Sequence, residues 1–179
     1  MGPCRASAER IELTEAEILH WIKETALGAA VRDSTWLFWA GQSLHFVGLS
    51  LLLGGMLIVD LRLLGFLPSV PMRAALAFLP LAVVGFLINL ATGIEFFTMD
   101  PFMYWPNPAF RLKMLLILLA GLNALAFTVL EYRRVLTLGN NESTGAVVKI
   151  TAGLSLGLWL GVLLLGRLLP SFEGSKGFF

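Results

Sequence analysis

Four stretches of this chain are long and apolar enough to cross a lipid bilayer, and they constrain the fold more than any other feature. A helix needs ~20 residues to span the hydrocarbon core. The first stretch runs from roughly Thr35 to Val59 and the second from roughly Ala74 to Thr98. The third runs from near Arg111 to near Leu130, and the fourth from about Val148 to Leu169. Of the 179 residues, 57% are hydrophobic and 14% are charged, and mean hydropathy is +0.80. Such a chain cannot supply the polar surface of a water-soluble fold. No alternating pattern competes for strands. The expected fold is all-α, an integral membrane four-helix bundle preceded by an amphipathic surface helix. Its short connections make neighbouring helices antiparallel. Residues 1–34 form an N-terminal tail and interfacial helix, 35–170 the transmembrane domain, and 171–179 a C-terminal tail.

The flanking segments agree with this reading. "GFLPSVPM" carries two prolines that end the first span. "DPFMYWPNPAF" has three prolines and four aromatic residues, too irregular to span lipid and too aromatic for a plain linker. "LGNNESTG" reads as an ordinary turn. Pro80 falls inside the second span and is expected to kink it. In "LTEAEILHWIKETALGAAVRDS", Thr14 and Glu17 make a capping box. Ile18, Leu19, Ile22 and Ala26 follow at helical spacing, as in a helix lying on the membrane surface or docking on the bundle. His20 reads as an interfacial polar residue. The single cysteine, Cys4, excludes an internal disulfide and a cysteine-based metal cluster. The first 34 residues lack the apolar region of a cleavable signal peptide. Net charge is +1 and no basic patch suggests nucleic acid.

The side of the membrane holding both termini, side A, carries Arg5, Arg10, Lys23, Arg32, Arg111, Lys113, Arg167 and Lys176; side B carries Arg62, Arg73, Arg133, Arg134 and Lys149. A raw count puts side A in the cytoplasm. The short flanks weigh most, however. "DLR" and "EYRR" look like cytoplasmic anchors and the aromatic loop looks external, so the termini are expected outside a bacterial inner membrane.

One ionisable ring stands deep in the first span. Counting ~1.5 Å per residue from Thr35 puts His45 ~15 Å deep, near the bilayer midplane. The same count puts Asn89, Asn123 and Trp159 at that depth, so each helix adds one polar side chain to a layer that should point inward. Two readings follow: a hydrogen-bonded layer that fixes helix register, or a histidine that holds a cofactor metal. Gly41 and Gly48 flank His45 on nearly the same face. They would leave a flat slot of the kind a porphyrin needs, and neutral histidine is a common axial ligand of haem iron. Glycines in membrane helices also serve close packing. No second histidine lies in the spans, so a six-coordinate haem would need Met, Lys, Asn or another chain as partner. Gly153, Gly157 and Gly161 form a G-x-x-x-G-x-x-x-G series, expected to be a close-packing face within the bundle or between protomers. Glu95 and Lys113, near side A, either pair across helices or snorkel separately. A quinone head or a haem propionate is a candidate ligand there. Asp60 and Arg62 read as capping the side B end of the first span.

The recurring patterns S-x-W, L-H-x-x-G and D-L-R-L-L-G fall on Ser34, Trp36, Leu44, His45, Gly48 and Asp60 to Gly65. They are followed by T-G, N-x-x-F-x-x-K and L-N-A on Thr92, Gly93, Asn107, Phe110, Lys113 and Leu122 to Ala124. Over about residues 14–134 the chain resembles a bacterial family of small four-helix membrane proteins of unknown function. More distantly, a histidine in the first helix and a lysine opening the third look like the membrane-bound, haem-b-type protoporphyrinogen oxidases and the copper-resistance membrane domains. That resemblance implies a haem b site using His45, with Lys113 nearby. Members of the family often carry a histidine just after L-N-A-x-x-F, where this chain has Thr128.

Two functions from different classes are therefore expected to compete. One is a haem-b protein passing electrons between a quinone and a partner protein, with His45, Gly41, Gly48, Asn89, Asn123 and Lys113 as its site. The other is a cofactor-free structural or accessory subunit that anchors a larger complex or forms a homo-oligomer. An enzyme acting on a porphyrin is a third option. No nucleophile triad, phosphate loop or zinc motif is present.

Overall fold

A computed structural model of the chain describes residues 14–138 and 144–173. Cys4 and most of the "LGNNESTG" turn lie outside the described residues. Those described form nine helices and no strand. They are α1 (14–23), α2 (Ala26–Asp33), α3 (Thr35–Leu64), α4 (Met72–Leu76), α5 (Leu79–Met99), α6 (Pro101–Tyr104), α7 (Pro108–Leu130), α8 (Tyr132–Leu136) and α9 (Ala146–Glu173). Four segments are long and apolar enough to cross a membrane: α3, α4 with α5, α7, and α9. Their outer faces carry side chains such as Phe46, Leu118, Val129 and Ile150, each more than half exposed. On a membrane helix these surfaces face lipid chains.

Local chemistry sets the ends. Ser34 caps α3, its hydroxyl accepting from the Leu37 N–H at 3.4 Å. At the other end Gly65 has φ of 95°, in the left-handed region that favours glycine. The Phe66 N–H donates to Leu61 O at 2.9 Å and the Gly65 N–H to Arg62 O at 3.2 Å, the double closure of a Schellman motif. This stop comes five residues later than the sequence suggests, at Leu64 rather than Val59. The second span is interrupted at Ala77 and Phe78, directly before Pro80, which stands in the first turn of α5, where its missing N–H costs no helical bond. Asn107 caps α7 through the Ala109 N–H at 3.0 Å, and its amide donates to Leu169 O at 3.2 Å, tying the start of α7 to the end of α9.

The spans pack in the order α5–α3–α9–α7, and α5 and α7 make no comparable contact. The bundle is thus an arc with a gap on one side. Glycine sets the tightest seam. Gly41, Gly48 and Gly55 are buried at seven-residue spacing on α3, all facing α5. Opposite them, a Cβ on Gly85 would lie 2.5 Å from the Leu52 backbone nitrogen and 2.6 Å from Gly48 O, so the two backbones nearly touch. The glycine series of α9 behaves differently. A Cβ at Gly157 would meet nothing within 4 Å, and one at Gly153 only Leu64 at 4.0 Å. Only Gly161 packs tightly, against Leu116 of α7. The expectation of a close-packing face inside the bundle is therefore corrected. Val148, Ala152, Leu158, Trp159 and Val162 form the buried side of α9, and two of the three glycines face outward. A small-residue membrane seam can be as readily spaced by seven as by four.

The N-terminal region is two helices, not one. Thr25 ends α1 by donating to Ile22 O at 2.8 Å, then caps α2 by accepting from the Gly28 N–H at 3.3 Å. Gly28 brings α2 against the backbone at Thr98, and Arg32 donates to Lys23 O at 2.5 Å and Met99 O at 3.4 Å. So α2 docks on the side A end of α5. His20 meets Phe102 of α6 edge-on at 4.9 Å, and Lys23 stands 5.8 Å over the same ring. Phe97 of α5 stacks on Phe110 of α7 at 5.5 Å, joining the side A ends of these two spans, while Tyr104 packs on Phe110 and Arg111 lies over Trp105.

Candidate functional site

His45 is half-buried on α3 and faces α5. Its Nδ1 lies 2.6 Å from the Thr92 hydroxyl oxygen. Thr92 is buried, and that same hydroxyl lies 2.8 Å from Ile88 O and 3.3 Å from Asn89 O. A hydroxyl has one proton, and a carbonyl oxygen can only accept. Thr92 therefore donates to its own helix and accepts from the ring. The pattern assigns the proton of a neutral His45 to Nδ1 and leaves Nε2 with a free lone pair. An acceptor bonded to one ring nitrogen in this way holds a histidine in the orientation a ligand at its other nitrogen requires. The Phe96 ring packs at 5.5 Å from the imidazole. Lys113 of α7 stands within Coulombic range of His45, with its Nζ 3.6 Å from where a Cβ on Gly166 of α9 would sit.

The other residues expected at this site are placed as follows. Gly41 and Gly48 do lie on the face of α3 near His45, but α5 fills the space over both. The Glu95 carboxylate covers Gly41; Asn89, Ile88 and the Gly85 carbonyl cover Gly48. The slot is a helix seam. Asn89 is close to the site, but its amide donates to Gly85 O of its own helix at 3.0 Å. Asn123 is elsewhere and donates to Thr151 O of α9 at 3.1 Å. Trp159 packs against Phe86 at 6.2 Å. The expected midplane layer is thus two separate groups. One joins α3 to α5 around His45, Thr92 and Asn89. The other joins α7 to α9 around Asn123 and Thr151. With α3 at 30 residues, or ~45 Å, His45 also lies about five residues to the side A side of the helix middle.

Glu95 and Lys113 form no ion pair among the described residues; each occupies a glycine-lined recess on a different helix. Asp60 and Arg62 are not exposed caps, being 2% and 3% exposed. Arg62 Nε donates to Val70 O at 2.5 Å and holds the loop after α3. Thr144 closes the same end by donating to Leu63 O at 2.5 Å. No group of three or more His, Cys, Asp or Glu side chains that could hold a metal ion occurs among the described residues. Thr92 was missed as a partner of His45. The signal lay in the T-G pair on Thr92 and Gly93, which stands opposite His45 once α3 and α5 are aligned through their glycines. Comparison with family models, curated proteins and solved structures finds no match to this chain.

Proposed function

We propose that this four-span membrane protein binds a b-type haem through His45 Nε2. In this reading it serves electron transfer within a bacterial inner membrane, between a quinone and a partner protein. The observation that carries the reading is the bond from His45 Nδ1 to Thr92, which leaves Nε2 free and fixes the ring plane. The fit to haem is of one kind only. The residues supply one oriented axial donor and a nearby cation, Lys113, suited to a propionate. They do not supply the flat space expected over Gly41 and Gly48, which α5 occupies. A macrocycle would have to lie off the α3–α5 seam. When bound, haem would supply a one-electron couple. Thr92 orients the ring, and Phe96 packs against it. In this reading both termini face the outside.

A second reading is favoured by a specific observation. The His45–Thr92 bond lies in the tightest seam of the fold, so it is also what a purely structural link between α3 and α5 requires. The protein is then a cofactor-free accessory subunit. Haem titration of the purified chain separates the two. The haem reading expects stoichiometric binding with a Soret band, lost in His45→Ala and kept in His20→Ala. Equal, weak haem uptake by all three proteins would favour the structural reading.

A further inference from the structure

A second polar site lies toward side B, away from His45. Asp60 is fifteen residues further along α3, or ~22 Å along the helix, and is 2% exposed. Its carboxylate takes a hydrogen bond from Ser155 of α9, itself 5% exposed, while Oδ2 has no hydrogen-bond partner among the described residues. It borders a cleft of about 230 Å³ in the hollow of the arc, lined by all four spans. Phe86 and Trp159 form an aromatic wall; the Asn123 amide donates to the Thr151 backbone carbonyl and the Thr151 hydroxyl to Val147 O. Among the described residues lining the cleft, Asp60 is the only ionisable one.

A carboxylate withdrawn from water is costly without a counter-charge. Among the described residues no cationic side chain lines this cleft, and Arg62 directs its Nε to the loop. A bound proton or a bound cation must therefore offset the charge. A hard metal ion would need about six oxygen ligands, and the walls are mainly hydrocarbon. The vacant acceptor, the apolar volume and the aromatic faces suit an organic ammonium with an apolar body. Access is lateral, through the gap between α5 and α7. We propose that this cleft binds a lipophilic organic cation, an apolar body carrying one protonated amine, with Asp60 as its counter-ion. The proposal does not depend on haem binding at His45.

The test uses the full chain in phosphatidylcholine nanodiscs and equilibrium dialysis against empty discs. The probes are 1-naphthylmethylammonium and its neutral counterpart 1-naphthylmethanol. A hydrogen bond to a charged group predicts that the native chain binds the amine, one per chain, about tenfold or more tighter than the alcohol. Asp60→Asn should erase that preference. Gly121→Leu places a side chain at the cleft wall where a Cβ meets nothing within 4 Å, so it should fold normally and weaken both probes. Equal binding of amine and alcohol to the native chain would overturn the proposal. So would a preference that survives Asp60→Asn. If Asp60→Asn does not fold, Gly121→Leu decides: undiminished amine binding refutes the site.

Discussion

Gly85→Ala should destabilise the protein far more than Gly157→Ala, although both exchange a helical glycine for alanine. Both gain about 0.8–1 kcal/mol of helix preference, so their difference isolates packing. At Gly85 the new Cβ would sit 2.5 Å from the Leu52 backbone nitrogen and 2.6 Å from Gly48 O. Neither is the flexible tip of a side chain. Ordinary contact begins at 3.4 Å, so α3 and α5 must separate by about 0.9 Å at this point. Overpacking of this kind costs about 1–3 kcal/mol. At Gly157 a Cβ meets nothing within 4 Å, so no packing cost offsets the helix preference and the change should stabilise by up to about 1 kcal/mol. Unfolding in mixed micelles, followed by helicity as SDS is raised, measures both. We expect Gly85→Ala to unfold at clearly lower SDS and Gly157→Ala at an unchanged or higher value. Equal loss in the two variants would refute the assignment of the close seam to α3 and α5. It would also return the α9 series to a packing role, within or between chains.

Other outcomes follow from single bonds. Thr92→Val removes the acceptor at His45 Nδ1 while keeping side-chain shape, and on the haem reading it should weaken haem binding about 10–100-fold; Thr92→Ser should restore it, and haem titration checks both. Asn107→Ala removes the α7 cap and the bond to Leu169 O, so SDS unfolding should show a loss of about 1–2 kcal/mol. Cys4 is the only cysteine, so a membrane-impermeant maleimide should label it in spheroplasts with an intact inner membrane if the termini face outside. Labelling only after permeabilisation would reverse the orientation.

The sequence made the spans legible because their signal is additive: some twenty apolar residues in a row leave little alternative. The caps at Ser34, Asn107 and Gly65 are local too, but a reading of apolar length alone does not register them. Partner choice was not local. Depth counting put Asn89, Asn123 and His45 in one layer because it treats helices as parallel rods sharing a start line. In the fold α3 runs five residues past Val59, and α5 and α7 stand apart. Asn123 therefore faces α9, and Asp60, taken for an end cap, is inside the arc. The glycines misled for a related reason. Gly41 and Gly48 signal that something flat or close must lie over them, and a second helix satisfies that as well as a ring does. The break between α1 and α2 turned on one hydroxyl, Thr25, which competes with the backbone in a way hydrophobic periodicity does not register.

The central claim is that His45 Nε2 ligates haem iron. Its most direct measurement is the reduced-minus-oxidised optical spectrum of the chain purified from haem-sufficient membranes, with haem quantified as the pyridine haemochrome. One b-type haem per chain is expected, with a Soret band that disappears in His45→Ala while the helical bundle remains. A chain without Soret absorption, even after haem is supplied, would contradict it and leave His45 as the hydrogen-bonded link between α3 and α5.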